Sequence, residues 1–236
     1  MSRRIDRMKA QFRQDLSNAK KLSGRKKLQF IWDYYKLPII AAALVLIFLI
    51  LALILRAPQK DTAVYVVWVN SIAQEENSYF DDLLARTGAD TDKQHADVNT
   101  TMSLGIPGNE AADAQTLQVL AALFGIGDLD LFISDADIFE NYAVRDAFAD
   151  LSEHLDPELL SALHEYAEER VYYITNAEGK EIIAGYRIPE DSGAAEAGYF
   201  TAGSEVIAGV LENALNKDTA AEILQEMIRE DLDIQD

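Results

Sequence analysis

GDLDLFISDADIFENYA, residues 127–143, sets four aspartates (Asp128, Asp130, Asp135, Asp137) around the apolar run Leu129 to Ile133, which only Asp130 interrupts. Either the acids converge on a metal or a substrate, or they punctuate a strand and a helix. The run has the length and β-branched and aromatic content of a buried strand, and Ile138, Phe139 and Tyr142 then recur at helical spacing. The segment therefore predicts a strand over 128–134 and a short helix over 136–143. Asp135 or Asp137 stands where a carboxylate caps that helix, accepting from N–H groups that lack an intrahelical partner and complementing the dipole. The spacing fits no EF-hand loop, since the glycine and the terminal glutamate are missing, and no metal is expected here.

Upstream, TAVYVVWVN (62–70) is a second buried strand with Trp68 in the core. In SIAQEENSYFDDLLARTG (71–88), Tyr79, Phe80, Leu83 and Leu84 share one helical face and Gly88 supplies the stop. DVNTTMSL (97–104) alternates like a strand, GIPGNE breaks the chain, and AADAQTLQVLAALFGIG (111–127) is helical, with Leu117, Leu120, Ala121 and Phe124 on its apolar face. Two βαβ units follow, hence the fold class α/β: a parallel-type sheet with flanking helices. Right-handed crossovers bring all the strand ends, Asn70-Ser71, Ile106-Pro107-Gly108 and Ser134-Asp135, to one carboxyl edge, where open α/β sheets bind ligands. The candidate ligand-binding residues are accordingly Asn70, Ser71, Ser134 and Asp135, with Tyr142 from the following helix. Downstream, a helix starts at Pro157, YYITNAEGKEIIAGYRI (172–188) forms a hairpin turning at Asn176-Ala177-Glu178-Gly179, and PEDSGAAEAG (189–198) is expected to be a mobile loop.

Charge divides the 236-residue chain. Residues 1–36 hold eleven Lys or Arg against three Asp, whereas the rest holds ten bases against 37 acids, from totals of 21 and 40. Between the two parts lies LPIIAAALVLIFLILALIL (37–55), nineteen residues without a charge. As a helix it is about 28 Å long, close to the hydrocarbon thickness of about 30 Å, and Phe30, Trp32, Tyr34 and Tyr35 stand at its headgroup-facing end. The run is too long, and its end too free of small residues, for a cleaved signal peptide. It predicts a single transmembrane helix acting as signal anchor in the cell membrane, with the N-terminus cytoplasmic and the C-terminal domain extracytoplasmic. The expected organisation is a basic cytoplasmic tail (1–36), the span (37–55), a linker (56–62) and an acidic α/β domain (63–236). Ile5, Met8, Phe12 and Leu16 recur at spacings of three and four among basic residues, a pattern for a tail lying on anionic lipid rather than on nucleic acid.

GDLDLFISDADIFENYAVRDAFADLSEHLDPELL (127–160) resembles the segment of extracellular solute-binding proteins, the type II periplasmic-binding fold, in which a strand and helix lead to an aromatic-Ala-Asp-Leu phrase, here Phe148-Ala149-Asp150-Leu151. VIAGVLENALNKDTAAEILQEMI (206–228) is similar to that family's late strand-to-helix stretch, with Asn213, Lys217 and Ala221 matching at shifted spacing. As a whole the chain resembles bacterial membrane-anchored proteins with a basic tail, one helix and a reduced domain of this type. The resemblance implies a solute-binding design in which at least one lobe is cut down, because about 180 residues are too few for two full lobes.

The sequence has no Gly-x-Ser-x-Gly elbow, phosphate-binding glycine loop or His-Glu-x-x-His helix, and its cysteine count is zero, so neither catalysis nor a cofactor is expected. His95, His154 and His164 read as surface side chains. Two functions remain: a non-catalytic domain that meets an envelope protein partner, and a membrane-tethered module that binds or senses a small solute.

Overall fold

The computed structural model describes residues 32, 36, 40, 41, 43–51, 60–73, 78–108 and 110–234. Two compact units result, Met1–Pro58 and Gln59–Asp236. In the first, residues 40, 41 and 43–51 are helical and exposed. The basic tail, apart from Trp32 and Lys36, and both ends of the expected span lie outside the described residues, among which no helix is long and apolar enough to cross a membrane.

The second unit is α/β, with a mixed six-stranded sheet. Its strands are β1 (Asp61–Trp68), β2 (Gln94–Asn99), β3 (Leu131–Asp135), β4 (Val171–Thr175), β5 (Glu181–Ile188) and β6 (Val206–Val210). The helices are α1 (Tyr79–Arg86), α2 (Glu110–Ile126), α3 (Ala136–Ala143), α4 (Pro157–Tyr166), α5 (Gly193–Glu196) and α6 (Lys217–Asp231). Across the sheet the order is β2-β1-β3-β6-β5-β4. Because β3 lies on the opposite side of β1 from β2, the two crossovers diverge, α1 packing on one face and α2 on the other.

Period-two alternation in β1 feeds both cores: Val64, Val66 and Trp68 face α1, α4 and α6, while Val67 and Val69 join Leu120 of α2 and Phe139 of α3. Helix α6 closes the first face with Ile223, Leu224, Met227 and Ile228, each fully buried, and each stabilises the fold by about 1.5–3 kcal/mol relative to exposure. On the second face the Phe139 ring lies against Gly185 and Gly209; a Cβ on either would stand 2.8 or 2.7 Å from the ring.

Four expectations change. The sheet is parallel only at β2-β1-β3, because β6 returns antiparallel between β3 and β5, and the β4-β5 hairpin extends that arrangement. β2 covers 94–99, starting three and ending five residues earlier than the alternation suggests; the Asn99 side chain accepts from Thr101 N–H at 3.0 Å and turns the chain there. Residues 189–198 are not a free loop: Ser192 caps α5, accepting from Ala195 N–H at 3.2 Å, and Ala194 is buried. In α2 only Leu120 is fully buried; Leu117 and Ala121, on the face expected to pack, are exposed.

Candidate functional site

At the carboxyl edge, between the ends of β1 and β3, four of the five candidate residues come together. Asn70 adopts a left-handed conformation (φ 61°), which an Asn tolerates better than most residues and which turns the chain out of β1. Its amide nitrogen donates to the Asp135 carboxylate at 2.6 Å and to the Leu104 carbonyl at 3.0 Å, and its amide oxygen accepts from Leu104 N–H at 2.9 Å. Ser71 donates to the Tyr199 carbonyl at 3.1 Å, and the buried Ser134 hydroxyl donates to the Asp135 carbonyl at 3.2 Å. Asp135 occupies the N-cap position of α3 without capping it by its side chain, which Asn70 takes instead. Tyr142 stands apart, two turns down α3, stacked on Phe124 with ring centroids 4.3 Å apart; burial raises its hydroxyl pKa. It lines a 210 Å³ hollow with Leu104, Leu117, Ile138, Asn141 and Arg145.

The crevice over this edge is filled by the chain itself. Tyr199 stacks on Trp68 at 4.6 Å and Phe200 lies 5.9 Å from the same indole, with Phe80 edge-on to Tyr199. Two residues that directly follow the 189–198 segment thus cover the place where an open sheet would receive a ligand.

A hollow of 640 Å³ lies at the opposite edge, between the β4-β5 turn and the chain leaving β6. Its framework is Asp150, whose carboxylate accepts from Ser152 N–H (3.1 Å), the Ser152 hydroxyl (2.7 Å), Ile183 N–H (3.2 Å) and Lys180 (2.8 Å). Burial acts to raise its pKa, but the bonds from Lys180, Ser152 and Ile183 outweigh burial and hold it below the usual carboxylate range. Lys180 also reaches Glu153 at 3.0 Å, and Lys217 pairs with Glu212 at 3.1 Å. The lining is polar and predominantly acidic, with each lysine already held by a carboxylate.

Three further carboxylates act in the framework of the fold. Asp130, fully buried, accepts from Tyr65 N–H (2.8 Å), Asn216 N–H (2.8 Å) and the Asn216 side chain (3.0 Å), tying β1, β3 and the start of α6 together. Its signal was legible: one charge inside a strand-like apolar run survives only if it is fully hydrogen-bonded. Asp150 carries no such signal, because its donors come from residues 2 to 33 positions away. Asp231, at the end of α6, accepts from Tyr186 at 3.1 Å while its other oxygen is buried without a hydrogen bond among the described residues. Burial pushes its pKa up to about 7, against the Tyr186 bond and the Arg170 charge and with help from Glu230 and Asp191.

The sequence matches no protein-family model and no curated protein. Its chemistry has to be judged on geometry alone. Among the described residues no three His, Asp or Glu side chains converge as metal ligands. His164, the histidine with the closest carboxylate contact, sits exposed beside Glu168 at 2.6 Å.

Proposed function

We propose that this chain is a single-pass membrane protein that displays, outside the cell membrane, a non-catalytic, partner-binding domain reduced from the solute-binding-protein design. The observation that carries the reading is the closed crevice. In an open α/β sheet the switch point between β1 and β3 is where a ligand sits, and here Asn70, Asp135 and Leu104 satisfy one another while Tyr199 and Phe200 cover Trp68. A site whose polar groups already pair internally offers a solute little that water does not. The charge division supports the topology: basic residues flank the apolar run on one side, and the acidic domain stays soluble and off anionic lipid on the other.

A second reading, a tethered small-solute module, is favoured by the 640 Å³ hollow beside Lys180 and Lys217, which lies within the usual size range of ligand pockets. The test is the melting temperature of the full chain, purified in detergent, against pooled sugars, amino acids, peptides and divalent cations. The partner-binding reading expects no saturable shift from any pool. A saturable rise that Lys217→Met abolishes would establish the solute module in its place, and one that Asn70→Ala abolishes would return the ligand to the carboxyl edge.

A further inference from the structure

Ile138, Asn141, Tyr142 and Arg145 recur at intervals of three and four, so α3 and the turn after it present them on one side. Together with Leu117 of α2 and Leu104 they line the 210 Å³ hollow. Leu104 is fixed in its wall by Asn70, which donates to its carbonyl at 3.0 Å and accepts from its N–H at 2.9 Å. The carboxyl-edge network therefore holds one wall of a hollow that lies outside the closed crevice.

Charge singles this hollow out. Arg86, Lys93, Lys180, Arg187, Lys217 and Arg229 each pair with a carboxylate. Arg145 pairs with none among the described residues, although beyond residue 36 the chain holds 37 acids against ten bases. Burial raises the Tyr142 pKa against the nearby Arg145 charge, so its hydroxyl remains an O–H donor at neutral pH. That hydroxyl has no hydrogen-bond partner among the described residues. Two donors without acceptors thus stand beside an apolar wall of Leu104, Leu117 and Ile138, and no residue of the lining is acidic.

We propose that this hollow binds a small aliphatic monocarboxylate, its carboxylate on Arg145 and Tyr142 and its hydrocarbon against Leu104, Leu117 and Ile138. The planar fork of a guanidinium matches a carboxylate bidentately, and the apolar wall selects what that carboxylate is attached to. Volume limits the ligand: 210 Å³ is about seven waters' share of the liquid and lies below the ~300–1,000 Å³ of drug-sized sites, which suits an acid of few carbons. Charge limits it as well. One guanidinium neutralises one negative charge, so a phosphate ester or a dicarboxylate leaves a second charge in the field of an acidic domain. A free amino acid brings an ammonium group beside the same guanidinium, with no acid in the lining to receive it. The proposal is independent of the partner-binding reading, and simple acids are absent from the pools that test that reading.

The probe is sodium trifluorobutanoate, fluorinated at its terminal methyl and followed by fluorine NMR with the full chain in detergent, since neither protein nor detergent carries fluorine. Its line is expected to broaden saturably with a dissociation constant of about 1 mM, the scale of one exposed ion pair with partial apolar burial. Arg145→Gln weakens binding about tenfold. Leu117→Asn keeps the charge, removes hydrocarbon contact and weakens binding about threefold. Both side chains are exposed, so both variants keep the parent melting temperature. The uncharged trifluorobutanamide gives no saturable effect. No saturable broadening up to about 20 mM, amide binding as tight as that of the acid, or unchanged binding by Arg145→Gln overturns the proposal. Broadening that neither substitution alters reflects partition into detergent and overturns it equally.

Discussion

The two ends of the sheet handle carboxylates drawn out of solvent in opposite ways. Where β3 begins, Asp130 and Asp150 are saturated with donors: three hydrogen bonds reach the first and four the second. Toward the end where β1 and β3 finish, Asp231 is half-buried, with a tyrosine on one oxygen and, among the described residues, no hydrogen bond on the other, which is buried. Asp150 is thereby held below the usual carboxylate range and Asp231 above it, so these two respond to pH with opposite sign. Burial alone does not determine a carboxylate's charge; the count of donors does.

The comparison is broken most severely at Asp130. Asp130→Ala removes the acceptor shared by Tyr65 N–H and both Asn216 donors and empties a fully buried position, and chemical denaturation should show a loss of about 3 kcal/mol. At the other end Asn70→Ala removes the bridge to Leu104 and Asp135 and forces Ala into a left-handed conformation, for a loss of about 2 kcal/mol by the same measurement. Loss of stability from Asn70→Ala as large as from Asp130→Ala would mean that the carboxyl edge is as firmly built as the other.

Asp231 sharpens the contrast through its sign. Its folded pKa of about 7 lies above the ordinary Asp value of about 3.9, so between these limits the folded state holds the extra proton. As far as this group is concerned, stability is greatest at low pH and falls as pH rises through that window. Asp231→Asn should flatten this slope and stabilise the protein at pH 8 by on the order of 1–2 kcal/mol, read from melting temperatures at pH 5 and 8. A slope that survives the substitution would place its origin elsewhere.

The smallest effect is expected at Lys180. Because Asp150 is held below its ordinary pKa, its contribution is present at neutral pH and is lost as pH falls through the folded value. Lys180→Met removes one of its four donors, so acid unfolding should begin at a higher pH while stability at pH 7 changes little. An unchanged acid limb would mean that Ser152 and Ile183 suffice.

Much of this was legible in advance, for local reasons. The strand-helix unit at 131–143, the helix start at Pro157 and the hairpin turn at 176–179 each depend on residues within a few positions of one another, where periodicity and capping act. The meeting of Asn70 with Asp135 was accessible at one remove, through the rule that right-handed crossovers bring parallel strand ends to one edge. That Asn70 would satisfy Asp135, leaving α3 without a side-chain cap, was not, because it depends on a left-handed turn that positions the amide over β3. Tyr199 and Phe200 were hidden for a different reason: they follow a Gly- and Ala-rich stretch with no periodicity of its own, and the surface they stack on, Trp68, lies over a hundred residues earlier.

By itself, then, the sequence determined the charge division, the apolar run at 37–55, the α/β alternation and the identity of most core strands, all properties of neighbouring residues acting through periodicity, charge and chain stiffness. Only the tertiary structure decided that β6 returns antiparallel between β3 and β5, that the expected crevice is closed, and that the apolar helix α2 lies exposed. Those depend on which distant surfaces meet, and contact between residues sixty or a hundred positions apart leaves no period in the chain.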